Sequence, residues 1–237
     1  MKFLLLIAYL FVISFSKPTE VEKKINEHPQ NLSDIHTIYT SLLDKTLPLE
    51  AFELGVKGFI RLQEEGKLNN DSLLTIIDFN KPSDEQRLFI IDLKNRKIVE
   101  KSLVAHGKNT GELYARYFSN SPGSRKSSLG FFITDDTYFG RHGYSLRLKG
   151  MEPGINNNAF DRDIVFHKAN YVSNDFIREY GRIGRSFGCP VLPIEKNDEI
   201  INLIKGKSCL FIYYPSHDYL DNSPIIKVTR QMQQIAE

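Results

Sequence analysis

Arg87-Leu88-Phe89-Ile90-Ile91-Asp92-Leu93, then Lys94-Asn95-Arg96, then Lys97-Ile98-Val99-Glu100-Lys101-Ser102-Leu103-Val104-Ala105 is the stretch from which the fold is read. Two runs rich in β-branched residues flank a short polar turn, a pattern that predicts paired strands. Upstream, Leu73-Leu74-Thr75-Ile76-Ile77-Asp78-Phe79 predicts another strand. Downstream, Gly130-Phe131-Phe132-Ile133, Ser145-Leu146-Arg147-Leu148, Ile164-Val165-Phe166 and residues 210–214 continue the series, with short helices expected at 175–180 and 196–204. The expected fold class is mostly β: a β-sandwich or barrel with peripheral helices and a small N-terminal helical segment.

That helical segment spans residues 32–68. Ile35, Ile38, Tyr39 and Leu42 recur at helix spacing behind Ser33 or Asp34 as a cap, Pro48 interrupts, and Phe52, Val56, Phe59, Ile60 and Leu62 resume until Gly66. Before it, residues 17–31 read as a polar linker. Residues 1–16 read as a cleaved export signal: Lys2, an apolar run from Phe3 to Ile13, then the small-x-small site Ser14-Phe15-Ser16. The run is shorter than the ~20 apolar residues a membrane span needs. The organisation expected is thus signal 1–16, linker 17–31, helical segment 32–68 and main domain 69–237, with a periplasmic or secreted location and no stable membrane span after signal removal.

Composition agrees with a folded domain. Of 237 residues, 41% are hydrophobic and 25% charged, and 31 Lys plus Arg against 29 Asp plus Glu leave a formal charge of +2. These values exclude a largely disordered chain, a fibrous repeat and a multi-span membrane protein. Basic stretches such as Ser124-Arg125-Lys126 are short, so no nucleic-acid partner is expected.

The two cysteines have different settings. An exported pair forms a disulfide in the simplest reading, but Cys209 lies in an apolar strand-like run and reads as core, whereas Cys189 follows a glycine in Gly184-Arg185-Ser186-Phe187-Gly188-Cys189-Pro190-Val191-Leu192-Pro193. A thiol exposed on a tight turn suits a nucleophile, provided that a base or cation favours its ionised form. His167, ending Ile164-Val165-Phe166-His167, can supply the base, and Arg185 a positive field or a carboxylate fork. A zinc site built from His106, His142 and His167 with Asp161 or Asp163 is the weaker alternative, because it leaves Cys189 without a role. No cofactor is expected.

Ser186-Phe187-Gly188-Cys189-Pro190 with His167, together with Val104-Ala105-His106-Gly107, Lys126-Ser127-Ser128-Leu129-Gly130-Phe131 and His142-Gly143-Tyr144-Ser145-Leu146-Arg147-Leu148, resembles the L,D-transpeptidase catalytic domain family over roughly residues 50–215. The resemblance is closest to the murein L,D-transpeptidase branch of Gram-negative bacteria. Where the broader family has a histidine two residues before the nucleophile, this chain has Phe187. The resemblance implies an exported cysteine transpeptidase acting on peptidoglycan stem peptides. Cys189 attacks, His167 is the base, Ser186 orients His167 or lines the turn, and the amides of Gly188 and Cys189 hold the oxyanion. Arg185, His106 and His142 bind substrate. For His106 and His142, a hydrogen-bonded histidine at a strand end is an equally good reading. Two alternatives stand beside transpeptidation: a Cys-dependent L,D-carboxypeptidase or endopeptidase of the same fold, and a non-catalytic wall-binding module.

Overall fold

The structure, a computed structural model, describes residues 32–227. The expected signal at 1–16 and linker at 17–31 lie outside the described residues. Helices α1 (Leu32–Ser41) and α2 (Leu49–Glu64) precede strands β1 (Leu73–Asp78), β2 (Leu88–Asp92) and β3 (Lys97–Ser102). A long loop leads to the hairpin β4 (Gly130–Gly140) and β5 (Gly143–Gly150). Then come β6 (Val165–Lys168), α3 (Asn174–Tyr180), β7 (Val191–Leu192), α4 (Ile194–Ile204), β8 (Cys209–Tyr213) and α5 (His217–Asn222). Among the described residues no helix is long and apolar enough to cross a membrane.

The strands form one mixed sheet in the order β3-β2-β1-β8-β4-β5-β6-β7. Its centre is the parallel pair β1–β8, and the continuous apolar runs of both strands follow from their burial, which is complete along β8. At the far edge, Ala105 just beyond β3 bridges to Val191 in β7, so the two ends of the sheet meet and the sheet is nearly closed. The mostly-β expectation holds, with every expected strand present. Helix α1 starts at Leu32, which puts Ser33 and Asp34 in its first turn instead of before it.

Helix α2 belongs to the core. Phe52, Val56, Phe59 and Leu62 face the sheet at helical spacing and are buried. Its two glycines make the contact possible: a Cβ on Gly55 would lie 3.0 Å from Ile76 Cδ1, and one on Gly58 would lie 2.1 Å from the Phe131 ring. That ring stacks on Phe211 with centroids 4.3 Å apart, so it has little room to withdraw. At the other end of the chain, buried Glu152 accepts from Phe131 N–H at 2.6 Å, from the Tyr219 hydroxyl at 3.2 Å and from the Ser223 hydroxyl, tying α5 to β4.

A smaller apolar cluster of Leu103, Ala105, Val172, Ile183 and Val191 fills the place where the sheet closes. Cys189 packs against both this cluster and the main core. In an exposed helix Gly→Ala adds about 1 kcal/mol of stability. Here Gly58→Ala is expected to cost about 1–3 kcal/mol through overpacking, read as a lower urea midpoint; an unchanged or raised midpoint would contradict this account of the helix.

Candidate active site

Cys189 sits on a turn locked by its own side chains. Ser186 Oγ donates to Cys189 O at 2.7 Å and accepts from Gly188 N–H at 3.1 Å, closing the turn on itself. Ser127 Oγ donates to Gly188 O at 3.2 Å and accepts from Gly107 N–H at 3.1 Å. Gly188 has φ of 130°, and a Cβ there would lie 2.9 Å from Lys126 O. Only glycine fits such a backbone without strain. Ser186 is therefore a brace of the turn. The Gly188 N–H is spent on it, and of the two amides expected to receive an oxyanion, that of Cys189 donates to no described residue.

Cys189 is half-buried. Cys189 Sγ donates to Asp163 O at 3.5 Å. Burial pushes its pKa up, while the Val165 amide and the Arg162 guanidinium pull the other way and Asp163 adds to the rise. The net direction is upward, which favours the neutral thiol. Arg162 lies in the polar stretch Asp161-Arg162-Asp163, and no local motif distinguishes it. In the structure its guanidinium donates to Ser119 O (2.8 Å), Ser128 Oγ (2.7 Å), Ser124 Oγ (3.3 Å) and Lys126 O (2.7 Å), sewing the 119–128 loop against the turn.

His167 lies on the strand next to the turn. It pairs in parallel with Val191, two residues beyond Cys189. Its Nδ1 is 3.1 Å from Lys168 O, an acceptor only, so Nδ1 carries the hydrogen and Nε2 the lone pair. Burial, followed by the nearby His142 and Arg141, lowers its pKa to about 4. The described hydrogen bond of the thiol runs to Asp163 O and not to this ring. Strand pairing thus brings the two segments together without a hydrogen bond between the two groups, and catalytic contacts in ligand-free structures are commonly loose. His142, in the turn of the β4–β5 hairpin, stacks on His167 with centroids 4.4 Å apart and accepts from Arg141 Nε–H at 3.0 Å. The Tyr171 ring packs on Gly184, and burial together with Cys189 raises its phenol to about 12.

The remaining expected residues lie elsewhere in the architecture. His106 is 0% exposed and does not line a groove. Arg87, also fully buried, donates to its Nδ1 at 2.8 Å, and because a guanidinium only donates, the ring hydrogen is on Nε2, 3.2 Å from Gly111 O. Burial first, then the charge of Arg87, drives its pKa to about 3. Arg185 donates to Lys108 O and Gly111 O and is paired with Glu112, which also binds Arg182 at 3.1 Å. Its Nη1 is thereby held by the 108–112 loop. Both cysteines are free, and Cys209 is buried in β8 as expected. Among the described residues no three His, Cys, Asp or Glu side chains cluster closely enough to hold a metal ion.

The architecture defines a nearly closed mixed-sheet domain with one turn-borne thiol beside a strand histidine. A sequence profile described as "L,D-transpeptidase catalytic domain" matches residues 43–213, and the chain belongs to that family. Similar solved structures include an L,D-transpeptidase from Mycobacterium smegmatis (10% identity, 60% of this chain and 59% of that chain, TM-score 0.38). Bd1075 from Bdellovibrio bacteriovorus is 13% identical over 73% of this chain and 57% of that one, with TM-score 0.38. An L,D-transpeptidase from Stackebrandtia nassauensis is 10% identical over 76% of each chain, with TM-score 0.37. The matched region spans only 59% of the mycobacterial chain and 57% of the Bdellovibrio chain. Comparison with curated proteins finds no match.

Long-range 1H–15N spectra should show His106 as the Nε2–H tautomer and His167 as the Nδ1–H tautomer, both neutral at pH 5.5; a doubly protonated ring at that pH contradicts the assigned bonding. Arg162→Met removes a positive charge next to the thiol, which should shift the pH profile of Cys189 alkylation upward by about one unit. An unshifted profile in a folded variant means that the guanidinium does not act on the sulfur.

Proposed function

We propose that the protein is an exported cysteine L,D-transpeptidase that acts on peptidoglycan stem peptides through a thioester on Cys189, with His167 as base. The observation that carries this reading is the pairing of His167 with Val191, two residues beyond Cys189. The 3.1 Å contact of His167 Nδ1 with Lys168 O leaves the lone pair on Nε2, which supports the role of base. The family membership supplies the reaction class, and the apolar N-terminal run supplies the expectation of export to the periplasm or beyond.

The physical chemistry favours general-base attack over a standing ion pair. The thiol pKa is raised and the imidazole pKa lowered, both chiefly by burial, so the resting pair is neutral. As the Cys189 sulfur bonds to the donor carbonyl carbon, the thiol proton passes to His167 Nε2. The carbonyl electrons move onto oxygen, and Cys189 N–H donates a hydrogen bond to that oxyanion. Collapse breaks the amide C–N bond, and His167 returns the proton to the departing D-alanine amine. An incoming stem amine then attacks the thioester, gives its proton to His167, and leaves a new amide and a restored thiol. Water in place of that amine makes the same chemistry a carboxypeptidase or endopeptidase.

Intact-mass spectrometry after incubation with a tetrapeptide-stem muropeptide should show a covalent adduct that disappears in Cys189→Ala. His167→Asn should slow its formation by about 10²–10⁴-fold. An adduct that persists in Cys189→Ala, or no adduct with muropeptides left unchanged, overturns the reading.

A further inference from the structure

The loop that walls the nucleophile turn is strongly unbalanced in charge. Residues 107–127 contain Lys108, Arg116, Arg125 and Lys126 against a single carboxylate, Glu112. That carboxylate is held by Arg182 and Arg185, which come from outside the loop. None of the described ion pairs involves Lys108, Arg125 or Lys126.

These cations are gathered at the mouth of the site. Lys108 Nζ lies 5.2 Å and the Arg125 guanidinium 4.8 Å from the centroid of one ring, that of Phe187. Phe187 is two residues from Cys189 and 62% exposed. Lys126 Nζ lies 5.7 Å from the ring of Tyr117, which is 61% exposed. The backbones of all three basic residues are anchored to the site. Lys108 N–H donates to Ser186 O at 2.8 Å, Arg125 O accepts from Asn109 N–H at 3.2 Å, and Lys126 O accepts from Arg162 at 2.7 Å.

A positive, partly apolar rim, whose neighbouring carboxylates Glu112 and Asp163 pair instead with Arg182, Arg185 and Arg147, fits a ligand that brings a carboxylate. We propose that Phe187, Lys108, Arg125 and Lys126 form a specificity rim that recognises a free carboxylate on an aliphatic part of the acyl-donor peptide. The site then discriminates against donors whose carboxylates are amidated. The apolar contact with Phe187 is available to both donors, whereas the charge attraction is available only to the free acid. This deepens the reading of Cys189 as a peptide-acylating thiol and rests on it for the identity of the ligand.

The test separates binding from chemistry. Calorimetric titration of the full chain carrying Cys189→Ala compares two stem tetrapeptides that differ only in having carboxylates or carboxamides. The free acid should bind at least about tenfold more tightly at low ionic strength, with the ratio shrinking as salt screens the rim. In the folded Lys108→Gln/Arg125→Gln/Lys126→Gln background the ratio should fall below about twofold, and in Arg125→Gln alone by about threefold. Equal affinities, no binding of either peptide, a ratio unchanged in the folded rim variants, or displacement by equimolar inorganic phosphate each overturns the proposal; the last would mark a general anion patch. Adduct formation on the native chain is read separately. A tenfold binding ratio without any adduct sinks the thioester reading and leaves the rim standing, whereas adducts with both peptides at equal affinity sink the rim alone.

Discussion

Two stretches of backbone approach so closely that neither tolerates a methyl group, and the site depends on that approach. A Cβ on Gly107 would lie 2.5 Å from Arg125 O and 3.1 Å from Gly188 Cα, while one on Gly188 would lie 2.9 Å from Lys126 O. The bare chains allow Ser127 to bridge Gly107 N–H and Gly188 O, and allow residue 107 to pair with Ser186 while Ala105 pairs with Val191. Sheet closure, the nucleophile turn and the basic loop are therefore consequences of one contact. Side chains at this contact would separate the sheet ends and displace the thiol.

Beneath the contact lies an expensive polar core. Arg87 is fully buried, with burial lowering its pKa to about 9, and it donates to Val104 O through two nitrogens, to Lys81 O and to His106. Nearby Asp78, pushed up to about 6 by burial, leaves one carboxyl oxygen without a hydrogen bond among the described residues. Buried charges of this kind add little to stability by themselves and gain it only through complete hydrogen bonding. Their return is geometrical: His106 reaches Gly111 O, which Arg185 also contacts, so the loop over the site is held from the core upward.

Much of this was legible in the sequence, because strands buried on one or both faces write themselves as apolar runs. The β1, β2, β3, β6 and β8 segments were read from such runs, and Cys189 and His167 from a glycine turn and a strand end. What escaped reading has physical reasons. Strand β7 is two residues long, too short to carry a period. Gly55 and Gly58 look like weak points in a helix, whereas a long-range contact makes them necessary. His106 and His142 have the same local look, yet one is fixed to a buried arginine and the other covers His167 from an exposed hairpin turn. Arg162 looks like any loop arginine until the chain brings four acceptors to it.

The register of that hairpin has its own consequence. Between Thr134 and Thr137, β4 advances three residues while β5 advances two from Leu148 to Leu146, a bulge that changes which side of the ribbon each later residue faces. The tip with Arg141 and His142 is phased by this single extra residue. Removing one residue between the bulge and the tip would turn Phe139 and its neighbours to the opposite face, whereas removing a cross-strand pair would shorten the ribbon and preserve its facing. Length variation here is thus a parity rule: even changes alter the reach of the histidine cover, and odd changes exchange it for the other side of the strand.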